Sequence, residues 1–290
     1  MDYITLADRE VDETAWLAAR EGLYTATDLG RIMTGGPGAW ASLKREKANG
    51  SSFRGNAYTE HGNDREAHIV DFISTLGYGL EPNSALLASP NVPQYAATPD
   101  AIGADGETVG EVKTTVHDWP TLDDVPRRYW WQVQWQMLVT GATRTVFAFE
   151  LHENFVPVWM EPRYFIIDRD VDAIANAIET LQEYIAFDPD GVDAPEGLDD
   201  LLSELATLEE AAAVVTDRVA AKRDEIETLV RDHGKPIKFE GTARNISWSG
   251  KAGKRSSIDT AAFKKAHPDL ATEFTKTTET KPRLTITARS

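Results

Sequence analysis

The sequence predicts an α/β (α+β) fold with a smaller C-terminal extension of helix and β-structure. Through the first two thirds of the chain, short segments with strand spacing alternate with longer stretches of helical spacing. The dipeptide Asp105-Gly106 favours a two-residue hairpin turn, so the strands on either side of it are predicted to form an antiparallel pair. At 290 residues, the chain is long enough for one large domain and a second, smaller one.

The distribution of turn residues and charge predicts how these domains are divided. Segment 188–199 is acidic and rich in turn residues, so we predict a linker there, with a main domain at 1–187 and the extension at 200–290. The net charge is −17, but residues 1–233 hold 18 Lys or Arg against 42 Asp or Glu, whereas residues 234–290 hold 12 against 5. Only the C-terminal part has the basic footprint expected for phosphate contacts. An acidic core that contacted nucleic acid would depend on local basic residues and bound metal.

The chain contains no cysteine, which excludes structural disulfides, thiolate zinc sites and cysteine-ligated iron–sulfur clusters. Its first residues, Met1 to Glu13, lack the basic and apolar regions of a signal sequence. No apolar stretch approaches the length of a membrane span. We therefore expect a soluble protein of the cytoplasm, with no membrane partner.

The stretch 98–113, which contains the predicted turn, also holds the main candidate site. Counting outward from the turn, Asp100 lies opposite Glu111. Two facing carboxylates repel each other, whereas a divalent cation between them would make the arrangement favourable. Lys113 shares the face of Glu111, because side chains alternate along a strand. Two acids and an ammonium on one face suit a metal site for phosphodiester hydrolysis, although acidic residues are also common on solvated hairpins.

Upstream of the hairpin, Trp16 to Arg20 predicts a helical turn, and Thr27 or Asp28 is placed to cap the next helix. Arg20 and Thr27 could together hold a phosphate, but a surface arginine and a plain N-cap explain them equally well. Residues 34–56, with a basic patch at 44–47, predict a mobile loop over a site or a solvated linker.

Helical spacing from Tyr58 to Leu76 places Glu66 one turn before Val70 on the apolar stripe. A carboxylate there is costly unless it is paired or binds metal, so Glu66 is a candidate ligand. The alternative is a residue at the edge of the stripe that reaches solvent. For His61 and His68 we predict ordinary, partly exposed histidines, since neither has a convincing ligand spacing.

Downstream, residues 86–88 and 95–102 predict strands, and Pro126 opens a helix over 127–140. This helix carries Gln132 and Gln136 on one face, where buried amides need partners at both ends. The main domain is completed by predicted strands at 144–150, 156–160 and 164–167, and by a helix from Asp170 or Asp172 to about Ile185.

The extension begins with an uninterrupted helical pattern from Leu201 to about Asp232, which suits a coiled coil or a docking helix. Strand-like segments follow at 237–239, 245–248 and 284–287. Between the last two, Asp259 is placed to cap a short helix.

With these elements placed, the chain resembles the PD-(D/E)XK nucleases and, among them, the lambda-type exonucleases, also called YqaJ-like viral recombinases. The resemblance covers about residues 10–186 and rests on five motifs in the family's order. They are Trp16-Leu-Ala-Ala-Arg20-Glu-Gly-Leu-Tyr-Thr-Ala-Thr-Asp28, Gly62-Asn-Asp-Arg-Glu66, Ala97-Thr-Pro-Asp100, Gly110-Glu-Val-Lys113 and Tyr129-Trp-Trp-Gln-Val-Gln-Trp-Gln-Met137. The resemblance implies a restriction-endonuclease-like mixed sheet flanked by helices. Residues 246–270 are similar to a C-terminal extension found in some members.

Carried over residue by residue, the resemblance makes Asp100 and Glu111 direct metal ligands, with the backbone carbonyl of Val112 beside them. Glu66 matches a helix glutamate of the same metal site. Lys113 matches the lysine that orients or activates the attacking water. Gln132 matches the first glutamine of the family's Gln-x-Gln helix, which contacts the water or the phosphate.

The resemblance also implies a pocket for a 5′-phosphate end. Arg20 and Thr27 match two residues of this pocket, and Thr98 stands where the family has a serine. The family's Thr-Ala-Ser is Thr-Ala-Thr here, so the hydroxyl is kept.

The implied function is that of a 5′→3′ exonuclease that uses Mg²⁺, with Mn²⁺ as a substitute, on double-stranded DNA ends. It would leave 3′ single-stranded tails for recombination by strand annealing. The implied partners are DNA ends and a single-strand annealing protein. The implied assembly is a ring-shaped homo-trimer. The implied location is the cytoplasm of a bacterial host, with the protein encoded by a phage or prophage. An endonuclease directed to branched or single-stranded DNA, and a DNA-end-binding protein that loads a recombinase, are the alternatives.

Overall fold

The computed structural model of the protein describes residues 1–50, 55–192, 195, 197–250 and 257–276. The chain divides into two compact units, Met1–Val214 and Val215–Ser290. This division falls within one long helix, α7 (Leu198–His233). The domain boundaries expected at 188–199 stay a prediction.

The first unit is built from helices and strands that alternate along the chain. Its helices are α1 (Glu13–Arg20), α2 (Ala26–Thr34), α3 (Pro37–Asn49), α4 (Ala57–Ser74), α5 (Arg127–Thr140) and α6 (Val171–Ala186). Its strands are β1 (Ile4–Asp8), β2 (Leu80–Pro82), β3 (Ala85–Ala88), β4 (Ala96–Ala97), β5 (Ala101–Gly103), β6 (Thr108–Thr115), β7 (Arg144–Glu153), β8 (Val156–Pro157) and β9 (Arg163–Asp168).

The main sheet is mixed and lies between helices. Strands β2, β5, β6, β7 and β8 follow one another across it, and β9 also pairs with β7. Strands β6 and β7 are parallel, whereas β5 and β6 are antiparallel. Helix α4 packs Ile69 and Ile73 against one face, and α5 packs Val133 and Met137 against the other. The predicted fold class, a mixed sheet flanked by helices, is confirmed.

The hairpin between β5 and β6 has the register counted from its turn residues. Its ladder pairs are Ala101–Gly110 and Ile102–Val109. The turn is not the two-residue form we predicted, because of its residues only Gly106 has a positive φ, +73°. Asp105 instead accepts hydrogen bonds from the amides of Glu107 and Thr108, both at 2.9 Å. A side-chain acceptor therefore closes the turn and preserves the register that leads to the site.

Two local predictions before the hairpin are wrong. The strand predicted at 95–102 is two short strands, β4 and β5, because Pro99 between them has no amide to donate to a ladder. Helix α2 is capped by Thr25 rather than by Thr27 or Asp28. The amide of Thr25 donates to the Asp28 carboxylate at 2.8 Å, and the Asp28 amide donates to the Thr25 hydroxyl at 3.3 Å. Thr27 consequently lies exposed in the first turn of α2.

The loop or linker predicted over 34–56 contains helix α3, while residues 51–54 lie outside the described residues. Pro37 at its first position suits a helix start. The basic residues of this helix have partners inside the unit: Lys47 pairs with Asp28 at 2.8 Å, and Lys44 donates to the carbonyls of Ile185 and Phe187. They secure α3 to its neighbours.

His61 is buried, which corrects the prediction of a partly exposed histidine, whereas His68 is exposed. The ring of His61 lies 4.4 Å from the ring of His152, near the end of β7, measured between centroids. Next to them, the buried carboxylate of Glu150 accepts two hydrogen bonds from Arg65, at 2.7 and 2.6 Å. The two histidines thus form a buried pair under the start of α4.

The second unit contains the hairpin of β10 (Ile237–Glu240) and β11 (Asn245–Trp248), followed by α8 (Thr260–Ala266) and α9 (Pro268–Glu273). Asp259 caps α8, as predicted. The strand predicted at 284–287 lies outside the described residues. Within the described part of the chain, no helix combines the length and apolar character needed to cross a membrane.

Close packing of α2 on α5 leads to a first prediction. A Cβ added to Gly30 would lie 2.7 Å from the carbonyl oxygen of Arg128, a backbone atom that cannot move aside. We expect Gly30→Ala to lower the free energy of unfolding by about 1–3 kcal/mol, the usual cost of overpacking. The measurement is denaturant unfolding. Gly38→Ala is the matched control, because Gly38 has open space around it and should leave stability unchanged or slightly raised. Equal effects of both variants would contradict this packing.

The buried histidine pair leads to a prediction about acid stability. Burial, with a further contribution from His61, lowers the pKa of His152 to about 4, and burial also lowers the pKa of His61. An unfolded histidine titrates near 6.5, so the unfolded state binds more protons below that pH. The stability contributed by neutral His152 is therefore present above pH 6.5 and is lost as the pH falls toward 4.

We expect His152→Phe to flatten the decline of unfolding free energy between pH 6.5 and 5, measured by urea titration. His68→Gln, at an exposed histidine of α4, should keep the wild-type slope. An unchanged slope in His152→Phe would refute the assignment.

Candidate active site

The carboxylates of Asp100 and Glu111 lie on neighbouring strands of the main sheet. Asp100 directly precedes β5, and Glu111 lies in the middle of β6. The Asp100 amide donates to the carbonyl of Gly110 at 3.0 Å, and its carboxylate accepts from the amide of Val112 at 2.7 Å. These two bonds hold Asp100 against β6. The predicted ladder pairs Ala101–Gly110 and Ile102–Val109 are confirmed, and the pairing of Asp100 with Glu111 stays a prediction.

Glu111 is almost completely buried, with 1% of its surface exposed, and both of its oxygens have partners. Oε1 accepts hydrogen bonds from Lys113 Nζ and from Gln132 Nε2, the latter at 2.5 Å. Oε2 accepts from Gln136 Nε2 at 2.6 Å. Three donors, one of them charged, offset the cost of burying this carboxylate.

Lys113 lies on the same face of β6 as Glu111, as strand alternation predicts. Burial by itself would lower the pKa of its ammonium, but the carboxylates of Glu111 and Asp100 outweigh burial and raise the pKa. Lys113 is therefore positively charged at neutral pH. Its Nζ also lies 5.4 Å from the centroid of the Tyr129 ring, which adds a cation–π contact.

Asp100 needs more positive charge than Lys113 supplies. Burial raises the pKa of Asp100 well above its usual range, Glu111 raises it further, and Lys113 counteracts them only in part. A divalent cation would relieve the remaining repulsion. The donors that could hold one are carboxylate oxygens, which Mg²⁺ prefers and of which it commonly takes one or two from a protein. The donor chemistry fits Mg²⁺, and the role predicted for the Val112 carbonyl stays a prediction.

Glu66, the third predicted carboxylate, has a different partner. Its Oε1 forms an ion pair with Arg9 at 3.5 Å, and both side chains are partly exposed. Among the described residues, no three His, Cys, Asp or Glu side chains are arranged as ligands around one point. Glu66 is nevertheless near enough for its charge to raise the pKa of Asp100. The structure therefore places Glu66 in an ion pair with Arg9, and its predicted role as a metal ligand stays a prediction.

Arg20, the first residue of the predicted phosphate pocket, ends helix α1 and lies over an aromatic ring. Its guanidinium carbon is 4.3 Å from the centroid of Trp16. Burial lowers the pKa of Arg20, Asp28 opposes this shift, and the charge of Arg9 adds to it. The guanidinium is thus a partly desolvated cation, which strengthens its attraction for an anion.

Main-chain bonds bring the segment after α1 close to the carboxylates. The amide of Tyr24 donates to Gln94 at 2.8 Å, and its carbonyl accepts from Ala96 at 3.0 Å. This contact lies just before Thr98, which is half-buried, and Asp100. No hydrogen bond among the described residues joins the hydroxyls of Thr27 or Thr98 to Arg20. The pocket assignments of these two threonines stay predictions.

Three contacts at the site were absent from the sequence-based candidates: Gln136, Tyr129 and Arg9. Gln136 had a detectable signal, because it lies one turn after Gln132 on the same helix face. Tyr129 had the weaker signal of an aromatic residue at the start of that helix. Arg9 had none, since it lies in a turn far from Glu66 in sequence.

Comparison with known proteins identifies the part of the chain that carries these residues. Residues 15–143 match the YqaJ-like viral recombinase domain. This segment is less than half of the chain, is similar to that family, and is called the YqaJ-like domain below. The family resemblance drawn from the sequence is therefore confirmed, and every predicted site residue, from Arg20 to Gln132, lies within the YqaJ-like domain.

Solved structures similar to the chain include two of LHK-Exo, described as an alkaline exonuclease from Laribacter hongkongensis. One, in complex with dAMP, is 22% identical and the other 23%; each has a TM-score of 0.49 and is matched over 70% of this chain and 99% of its own. A phage-related exonuclease from Haemophilus somnus 129PT is 16% identical with a TM-score of 0.45, over 55% of this chain and 92% of its own. Among curated proteins, no significant match was found. These descriptions concern those proteins, and the YqaJ-like domain rests on the family match.

Proposed function

We propose that the protein is a Mg²⁺-dependent 5′→3′ exonuclease that acts on double-stranded DNA ends. The observation that carries the proposal is the single face of β5 and β6 on which Asp100, Glu111 and Lys113 meet, inside a YqaJ-like domain. A buried and a partly buried acid beside one ammonium are unfavourable for folding alone, whereas they suit phosphodiester hydrolysis. Mn²⁺ is the expected substitute, since it takes the same oxygen ligands.

Each residue of the site has a role in this reaction. Asp100 and Glu111 would hold the cation, which, when bound, polarises the phosphate and stabilises the leaving oxygen. Lys113 places a positive charge where the pentavalent phosphate gains negative charge. Gln132, which donates a hydrogen bond to Glu111, would contact the attacking water or the phosphate. Glu66 would become a third carboxylate ligand of the cation once its ion pair with Arg9 opens.

The products follow from the bond that breaks. Water attacks the phosphorus of the first internucleotide phosphodiester. The bond between that phosphorus and the 3′ oxygen of the terminal nucleotide breaks. The terminal nucleotide leaves with its own 5′-phosphate and a new 3′-hydroxyl, and the shortened strand carries a new 5′-phosphate. A pocket for a 5′-phosphate, with Arg20 as its cation, would therefore be refilled after every step.

This activity leaves 3′ single-stranded tails, which suits phage-type recombination by strand annealing. The proposed partners are DNA ends and a single-strand annealing protein, with a homo-trimer as the proposed assembly. The proposed location is the cytoplasm of a bacterial host.

Two other functions remain alternatives. An endonuclease for branched or single-stranded DNA could use the same fold and site, since these do not set the shape of the substrate. A DNA-end-binding protein that loads a recombinase would need no cleavage, and the complete set of Asp100, Glu111 and Lys113 argues against it.

The deciding experiment incubates the purified protein with Mg²⁺ and three matched DNAs: linear duplex with a 5′-phosphate, linear duplex with a 5′-hydroxyl, and a covalently closed circle. Progressive loss of the phosphorylated linear strand, with the circle intact, supports the exonuclease. Cutting of the circle supports the endonuclease. Tight end binding without cleavage supports the loading protein.

Removing the charge of Glu111 tests the site itself. Glu111→Gln keeps the volume of a buried side chain that has three partners, but it removes one of the two proposed direct ligands. We expect cleavage to fall at least about a hundredfold, because losing even an outer-sphere partner of a metal commonly costs ten- to a hundredfold. Binding to DNA should remain, measured by anisotropy beside the cleavage assay. Glu107→Gln, at an exposed acid of the same hairpin, is the control, and normal cleavage by Glu111→Gln would exclude the site.

Removing the cation of Arg20 tests the phosphate pocket. We expect Arg20→Ala to degrade phosphorylated and hydroxyl ends at similar rates, because the charge that distinguishes them is lost. The measurement is the ratio of initial rates on the two linear duplexes. A ratio that stays at the wild-type value would remove Arg20 from the pocket without affecting the assignment of Glu111.

A further inference from the structure

Arg9 lies between the two parts of the proposed site. Its guanidinium forms the ion pair with Glu66 Oε1 at 3.5 Å. The same group lies 6.0 Å from the centroid of the Trp16 ring, over which Arg20 also lies, at 4.3 Å. One side chain thus contacts a proposed metal ligand and shares an aromatic surface with the proposed phosphate-binding cation.

The turn that carries Arg9 is held in place, whereas the side chain has room to move. The Arg9 amide donates to the carbonyl of Ser84 at 3.2 Å. The Asp8 carboxylate accepts from the Ser84 hydroxyl at 2.7 Å and from the amide of Glu10 at 2.9 Å. The side chain of Arg9 is 44% exposed, and that of Glu66 is 34% exposed. An ion pair this exposed opens at little cost in free energy.

Two guanidinium groups lie near the Trp16 ring, and the carboxylate of Asp28 also acts on Arg20. Arg9 and Arg20 are close enough that the charge of Arg9 lowers the pKa of Arg20. An anion between the two guanidinium groups would relieve this repulsion. A terminal phosphate monoester carries between one and two negative charges near pH 7, more than an internal diester, because its second pKa is about 6.

We propose that Arg9 is a specificity residue that exchanges Glu66 for a terminal 5′-phosphate when Glu66 turns to a divalent cation. This inference rests on the proposed function and adds a coupling to it. Without the cation, Glu66 holds Arg9. With the cation, Glu66 is drawn toward Asp100 and Glu111, and Arg9 joins Arg20. Cation and phosphorylated end then favour each other's binding, because both require the same ion pair to open.

The first test measures end binding without relying on cleavage. The full-length protein is titrated with short duplexes that carry a 5′-phosphate or a 5′-hydroxyl, by fluorescence anisotropy, in EDTA and in Ca²⁺. In the wild type, we expect Ca²⁺ to raise the preference for the phosphate about two- to fivefold, the range that an exposed ion pair allows. In Arg9→Gln the preference should be low in both buffers. In Glu66→Gln it should be high in both, since Arg9 has no carboxylate to hold it.

The second test measures cation binding in the absence of DNA. Calorimetric titration with Mn²⁺ should give Arg9→Gln a dissociation constant about two- to fivefold lower than the wild type, because no ion pair has to open. A purely structural arginine would predict the same or weaker Mn²⁺ binding. Arg144→Gln is the matched control: Arg144 pairs with Glu107 at 3.0 Å and lies 5.9 Å from the ring of Tyr78. It should behave as the wild type in both tests.

The outcomes separate this inference from the proposed function. If the wild type degrades phosphorylated linear DNA, but Arg9→Gln keeps both its Ca²⁺-dependent end preference and its Mn²⁺ affinity, the exchange is refuted and the exonuclease stands. If the wild type neither cleaves nor prefers phosphorylated ends in any buffer, the proposed function fails and takes the exchange with it. Opposite shifts of end preference and Mn²⁺ affinity in Arg9→Gln support the exchange.

Discussion

The burial of the Glu111 charge in the middle of the main sheet is the constraint on which the rest of the YqaJ-like domain depends. Strand β6 brings this carboxylate into a largely apolar layer, where it must find donors. Lys113 comes from the same strand, but Gln132 and Gln136 come from α5. These contacts fix the rotation of α5 about its axis. The opposite side of α5, with the fully buried Trp135, then packs against α2 and β4. One helix therefore positions both the carboxylates and the segment of the proposed phosphate pocket.

The carboxylate of Asp100 destabilises the folded state, because burial and the neighbouring Glu111 disfavour its charge more than Lys113 favours it. Its carboxylate lies beside Glu111, receives one amide hydrogen bond from Val112 and shares the charge of Lys113. An amide or an apolar side chain there would avoid the repulsion. The two strands hold the acids together nonetheless, through main-chain bonds that do not depend on the side chains. This separation lets the hairpin supply the geometry while the acids remain available for chemistry.

The sequence predicted those features that depend on local period and on turn chemistry. Strand alternation placed Lys113 with Glu111, and helical period placed Gln132 with Gln136, because both follow from backbone geometry. Composition misled where tertiary contacts decide: α3 forms in a segment that was interpreted as a loop, and His61 is buried by a distant strand. The pair of Arg9 and Glu66 was beyond prediction, since nothing local relates a turn after β1 to the middle of α4. Prediction was therefore better for the neighbouring residues Asp100, Glu111 and Lys113 than for the contact between Arg9 and Glu66.

The acidic excess of residues 1–233 makes the few cations at the proposed site important for binding a phosphate. Residues 1–233 carry 18 basic against 42 acidic side chains, so this part of the chain repels a phosphate backbone. The basic residues of α3 do not compensate, because Lys47 is paired with Asp28 and Lys44 holds carbonyl groups of neighbouring residues. Under the proposed function, attraction for DNA in this part would depend on individual cations, among them Lys113, Arg20 and Arg9 at the site. A surface that repels diesters but concentrates positive charge at one point favours the more highly charged terminal phosphate. Acidity elsewhere would then contribute to end selection by weakening binding along the interior of the duplex.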